Sequence, residues 1–267
     1  MTDPFFRREG ARYIPSPVSS GPWDPNSLHG RVVAALLARE LEHRFGDPAF
    51  QFSRLTVDMF RLPKLDALEV SSQEVRVGNR IRVADATITQ YGEEVARGRG
   101  VLLRRAENPD GEVWKPEPWD VPAPDDIVPP ENMLGPGGKS PMWDTRPIAG
   151  GFGAVVRKRM WMRELHLLVD DEPLTPFLRA ASAADYAHPF ANSGTAGLEF
   201  INADISLYLH RDPVGEWIGF DVTNHQSASG IAVGECTVYD EQGPIGQSTV
   251  CAVANRRGPG PPANRPR

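Results

Sequence analysis

"SLYLHRDPVGEWIGF" (Ser206–Phe220) decides how this chain reads, because a version of it occurs earlier as "DMFRLPKLDALEV" (Asp58–Val70). Each copy runs from an alternating apolar strand through a charged, proline-bearing turn into a second strand. Pro63 and Pro213 are 150 residues apart, and Gly92 and Gly243 are 151 apart. An offset held through three strands and their turns points to internal duplication.

Around the first copy the pattern is a helix followed by strands. "GPWDPNSLHGRVVAALLARELE" (Gly21–Glu42) places Asp24 or Ser27 where an N-cap belongs, and predicts a helix from Leu28 to Phe45. "VVAALLA" (Val32–Ala38) is apolar on every side and reads as core. Charge returns at Arg39, Glu40, Glu42, His43 and Arg44, which makes the last turns amphipathic. Strands are expected at Phe50–Arg61, Leu68–Val77, Arg80–Gln90 and Glu94–Arg104. The second copy has a shorter helix candidate within Leu174–Phe190, then strands in "LEFINADISLYLHR", "GEWIGFDVTNHQ", "GIAVGECTVYDEQG" and "PIGQSTVCAVANRR".

Four regions follow: a first repeat over 1–105, a connecting strap over 106–150, a second repeat over 151–257 and a disordered tail over 258–267. The strap holds ten prolines but also Trp114, Trp119 and Trp143. Indoles are costly to leave in water, so the strap is expected to lie over the surface. Composition is that of a globular protein, with 40% apolar and 24% charged residues. A net charge of −6 gives no basic field for nucleic acid, and no run approaches the ~18 apolar residues of a membrane span. Cys236 and Cys251, the only cysteines, have no metal-ligand spacing and suit a reducing, cytoplasmic setting. No cofactor or metal is expected.

A long apolar helix and a curved antiparallel sheet, occurring twice, suggest an α+β double hot-dog, with two sheets each wrapping a central helix. "GPWDPNSLHG", "FINADISLYLHRDPVGEWIGFDV" and "VYDEQGPIGQSTV" resemble the thioesterase-like family, whose best-described members are type II acyl-CoA thioesterases. The likeness runs from Ser16 to Arg257. It implies an acyl-CoA or related thioester as substrate, hydrolysed by activated water, and self-association through sheet faces or edges suits such a fold.

The resemblance also implies a site. Relatives use an aspartate on the second helix, a Thr or Ser on the next strand and a glutamine on the last strand. The matching positions here are Asp185, Asn202 and Cys251. Burial among alanines and Phe177 would raise the Asp185 pKa toward that of a general base. Asn202 is expected on one strand face with Asp204 and Ser206. Cys251 departs from the family glutamine, and a thiol orients water poorly. Thr249 lies two residues away; Gln247 is four away, roughly 13 Å at strand rise. At the mouth of the first helix, His29, Gly30 and Arg31 stand where relatives carry a Gly-Gly pair that lets backbone N–H groups meet the thioester. Gly30 keeps that close approach, Arg31 reads as a solvated helix-start charge or a phosphate contact, and His29 as a cap. Two other readings stay open. One is a non-catalytic acyl-CoA or lipid binder. The other is an enoyl-CoA hydratase, since Asp24–His29 also resembles the "D-x-N-P-x-H" of that group with Ser27 at the proline position.

Overall fold

α1 (Gly30–Phe45) forms because its residues from Arg31 to Leu41 can all be buried at once. Its ends are closed by His29, whose side chain accepts from the Arg31 N–H, and by the Gly46 N–H on the Glu42 carbonyl. His43 and Arg44 in the last turn suit the negative end of the helix dipole. The N-cap is therefore His29 rather than Asp24 or Ser27. The chain is seen here as a computed structural model that describes residues 3–117, 119–130 and 143–255. The expected tail at 258–267 lies outside the described residues.

A hairpin of β1 (Phe6–Glu9) and β2 (Arg12–Pro15) precedes α1, and β3 (Phe50–Met59), β4 (Leu68–Val77), β5 (Ile81–Gln90) and β6 (Glu93–Arg104) follow it. The second repeat opens with a hairpin of β7 (Trp143–Ala149) and β8 (Arg159–Glu164). Then come α2 (Pro176–Ala184), α3 (Ala187–Asn192), β9 (Phe200–Asn202), β10 (Asp204–Leu209), β11 (Ile218–Ala228), β12 (Ile231–Asp240) and β13 (Gly243–Ala254). The sheet order is β1-β2-β4-β5-β6-β3-β10-β13-β12-β11-β8-β7, with β9 paired to β13. This order reads the same from both ends: β2 extends β4 as β8 extends β11. β3 and β10 meet at the centre, antiparallel, with Ile205 opposite Val57. The fold is the expected double hot-dog, and one apolar core runs through both repeats.

β4, β5 and β6 begin 150 residues before β11, β12 and β13 respectively. Gly92 accordingly corresponds to Gln242, not Gly243. Tyr91 and Gly92 form the first turn with positive φ, whereas Gly243 already opens β13. The alternation pattern does not signal the hairpin strands β1, β2, β7 and β8, nor the pairing of β8 with β11. Trp143 belongs to that hairpin rather than to the strap.

Of the strap's other indoles, Trp114 is exposed, against expectation. Trp119 does cover the sheet. Its ring stacks on Tyr239 at 4.1 Å and tilts against Trp161 at 4.6 Å. A Cβ at Gly219 would meet that ring at 2.3 Å, so only glycine admits it. The charged end of α1 is amphipathic as expected, with His43 and Arg44 exposed and the other charges drawn inward. Arg39 is buried, donating from Nε to Glu172 Oε2 at 2.6 Å and from Nη1 to the Tyr13 hydroxyl, while Glu40 accepts from Ser72. The inner side of these turns is covered, while His43 and Arg44 stay exposed on the outer side. Glu42 accepts from Thr175 Oγ1 at 2.6 Å, so the same helix is tied to the second repeat by Arg39 and Glu42 together.

Candidate functional site

The local break that presents Asp185 comes from Pro189. α2 starts at Thr175, whose Oγ1 accepts from the Leu178 N–H, with Pro176 in the first turn. The helix cannot run on unbroken, because a proline at 189 has no N–H for the Asp185 carbonyl and its ring crowds that oxygen. The His188 N–H takes that carbonyl instead, at 3.1 Å. Asp185 thus ends α2, with its carboxylate buried. Ser248, a buried residue of β13, anchors the same helix end by donating from Oγ to the Ala184 carbonyl at 2.9 Å.

Asn202 meets Asp185 directly, donating from Nδ2 to Oδ1 at 3.1 Å. It does not share a face with Asp204 and Ser206. Ala203 interrupts the strand between β9 and β10, and one such residue turns the side chains before it to the opposite side. Asp204 consequently accepts from the Cys251 N–H at 2.6 Å, away from the helices.

The mouth of α1 closes on the same carboxylate. His29 Nδ1 lies 3.4 Å from Asp185 Oδ2 and 3.2 Å from the Arg31 nitrogen. One ring nitrogen cannot donate to the first and accept from the second, so the proton on Nδ1 selects either the carboxylate contact or the helix cap. A Cβ at Gly30 would sit 2.8 Å from Asp185 Oδ1 and 2.9 Å from Oδ2. Glycine is therefore required there for the carboxylate to face the first turn of α1.

Burial pushes the Asp185 carboxyl up, but the hydrogen bond and charge of His29, with His188 and the Asn202 amide, more than offset this. The net shift is downward, contrary to the raised value expected from burial alone. Asp185 is an anion held in place, suited to orienting a water and taking its proton only transiently. His188 escaped the sequence reading. Burial lowers it to about 4, against the opposing pull of Asp185, so it is neutral at physiological pH.

Four of the expected residues, His29, Gly30, Asp185 and Asn202, come together. Three do not. Cys251 is exposed, and Thr249 and Cys251 alternate with the buried Ser248, Val250 and Ala252, so they lie on the outer face of β13. Partial burial and the neighbouring Asp204 push the Cys251 thiol up to about 11, away from any thiolate chemistry. Arg31 is fully buried rather than solvated. Its Nη1 donates to Glu164 Oε2 at 3.0 Å and its guanidinium lies over Phe5 and Trp143. A guanidinium so enclosed is turned into the core, not toward a phosphate. The hydratase pairing is likewise not formed. Asp24 accepts from the Asn26 N–H and faces Lys64 at 3.7 Å, while His29 faces Asp185. Among the described residues no group of three metal-ligating side chains converges, and no helix is long and apolar enough to cross a membrane.

Two family models match the chain: the acyl-CoA thioesterase N-terminal domain over residues 19–103 and the C-terminal domain over residues 118–252. No curated protein sequence matches it. Among solved structures, it is similar to a putative thioesterase from Novosphingobium aromaticivorans (20% identity, TM-score 0.68), covering 95% of this chain and 100% of that one. A hot-dog protein of unknown function from Alicyclobacillus acidocaldarius is 17% identical with a TM-score of 0.72, over 94% of this chain and 95% of that one. An acyl-CoA thioesterase II, TesB2, from Mycobacterium marinum is 17% identical with a TM-score of 0.64, over 92% and 94%. At these identities the structures attest the fold, and the two domain models carry the assignment. With one such domain on each repeat, the chain belongs to the acyl-CoA thioesterase family.

Proposed function

We propose that the chain hydrolyses an acyl-CoA thioester with a water held by Asp185 and Asn202. The observation that carries this reading is the buried Asp185 carboxylate, bonded to Asn202 and facing Gly30 with no room for a Cβ. The water oxygen adds to the thioester carbonyl carbon while Asp185 receives its proton. The first-turn N–H at Gly30 has no acceptor within its helix and is free to meet the oxyanion. Collapse breaks the C–S bond, and the departing thiolate takes the proton from Asp185. The family membership supports thioester chemistry, and the acyl-CoA substrate is part of the proposal.

The test is release of free thiol from acyl-CoA substrates graded from acetyl to palmitoyl, followed with a thiol-reactive dye. Asp185→Ala should lower turnover by about 10²–10⁴-fold while leaving the fold intact. One observation favours a second reading, a non-catalytic acyl-CoA binder: the position of the family glutamine is held by Cys251, on the wrong face. Absence of thiol release throughout the series, together with a rise in melting temperature on adding acyl-CoA, would decide for the binder.

A further inference from the structure

His188 enters the same end of the second repeat as Asp185. It follows Asp185 by three residues, one turn along the chain, and is 3% exposed. Behind it runs a chain of polar contacts to the surface. Asn192 Nδ2 lies 3.1 Å from His188 Nδ1, and Asn192 Oδ1 lies 2.8 Å from Nδ1 of the exposed His225. An amide nitrogen only donates and an amide oxygen only accepts. In this arrangement His225 Nδ1–H donates to Asn192, and Asn192 donates to His188 Nδ1. The proton of the neutral His188 ring is thereby placed on Nε2. β12 passes close beneath Asn192: a Cβ at Gly234 would meet Asn192 Oδ1 at 2.7 Å, so the amide has a fixed seat.

His188 Nε2 is buried and makes no hydrogen bond of ordinary geometry. The Phe200 backbone beside it favours protonation without completing one. Buried polar atoms are nearly always paired. A buried N–H without a partner of ordinary geometry, on a ring one turn from the Asp185 carboxylate and within its field, is a donor in want of an oxygen in a site that must stabilise a developing oxyanion. The Asn202 amide cannot fill that need, since its Nδ2 is committed to Asp185 and to the Asp204 carbonyl.

We propose that His188 is a further catalytic residue whose Nε2–H hydrogen-bonds the carbonyl oxygen of the reacting thioester beside Asp185. Asn192 and His225 act behind it as positioning residues that hold the tautomer. This rests on the hydrolytic reading of Asp185. No bond to His188 forms or breaks: it lends a hydrogen bond that strengthens as the oxygen gains charge.

The experiment measures kcat and KM for acyl-CoA hydrolysis in the wild type and in His188→Phe, His188→Gln, Asn192→Ala and His225→Ala, with the fold checked by circular dichroism. His188→Phe should lower kcat by about 10²-fold with KM within severalfold of wild type, as for loss of one oxyanion donor. His188→Gln, which retains an N–H donor, should recover part of that loss. His225→Ala changes only an exposed ring and should lower kcat severalfold at unchanged melting temperature. Wild-type kcat in His188→Phe overturns the proposal; if that variant does not fold, wild-type kcat in Asn192→Ala does so. Nitrogen-15 spectra of the labelled wild type should show His188 protonated at Nε2 at neutral pH, and a proton on Nδ1 instead would equally overturn it. A wild type that releases no thiol from any acyl-CoA fails the hydrolytic reading itself, an outcome distinct from an active wild type indifferent to His188.

Discussion

Asp185 shows how little a residue type says about its chemistry before its neighbours are placed. Burial alone argues for a raised carboxyl pKa, yet the contacts with His29 and Asn202 reverse the sign. Gly30 has the sharpest steric demand. Gly30→Ala would put a methyl group 2.8 Å from Oδ1 of a carboxylate that Asn202 holds at that oxygen and His29 faces at Oδ2. Because an ångström of misplacement costs about 10²-fold, turnover should fall by about that factor with little change in melting temperature. Parallel kinetics and thermal melts check this. Cys251→Gln provides the contrast. On the outer face of β13, a glutamine at 251 reaches neither Asp185 nor Asn202, so thiol release should match wild type. A clear gain in turnover would show that residue 251 does reach the site.

At the scale of elements, the strap is where composition and placement part company. Proline content argued for irregular chain, and the indoles argued for a packed one. Both hold, but for different residues. Trp119 fills the notch over Gly219 between Trp161 and Tyr239, whereas Trp114 stays in solvent. Trp119→Ala should therefore destabilise the protein by on the order of 2 kcal/mol, the scale of one large apolar side chain returned to water. Trp114→Ala should be within about 0.5 kcal/mol of wild type, as for other exposed positions. Urea unfolding of the two variants gives the comparison directly. The helix break at Asp185 belongs to this scale too. "ADYAHPF" contains its cause, Pro189, although periodicity across the segment reads as one short helix.

The two repeats behave as one body. β3 and β10 pair along the centre of a continuous sheet, and one apolar core runs beneath it. α1 belongs to the first repeat, yet Arg31, Arg39 and Glu42 are bonded to Glu164, Glu172 and Thr175 of the second. Separating the halves would strip a strand edge and leave buried charge without its counter-ion, which is strongly destabilising. Thermal unfolding should accordingly show a single transition, coincident by circular dichroism and tryptophan fluorescence. Two resolved transitions would mean that the repeats are independent.

The duplication, the strands from residue 50 to 104 and their counterparts, and the apolar character of α1 were all legible in the sequence. Period-two alternation, turn residues and an offset of 150 are all read along the chain and survive without coordinates. Asp185 and Asn202 could be located by likeness, but not their contact with each other or with Gly30. Cys251 stands at the glutamine's place in the motif, but position in a motif does not report that its side chain lies on the outer face of β13. A single interruption at Ala203 set Asn202 and Asp204 on opposite sides. His188 gave no sequence signal beyond its type, because its neutrality and tautomer come from burial and from Asn192, His225 and Asp185 around it. Periodicity along the chain carried the repeat, its central strands and the core helix, but not the edge hairpins or the break between α2 and α3. The tertiary structure alone decided which polar side chains face one another, because burial, distance and charge act between segments that the chain keeps far apart.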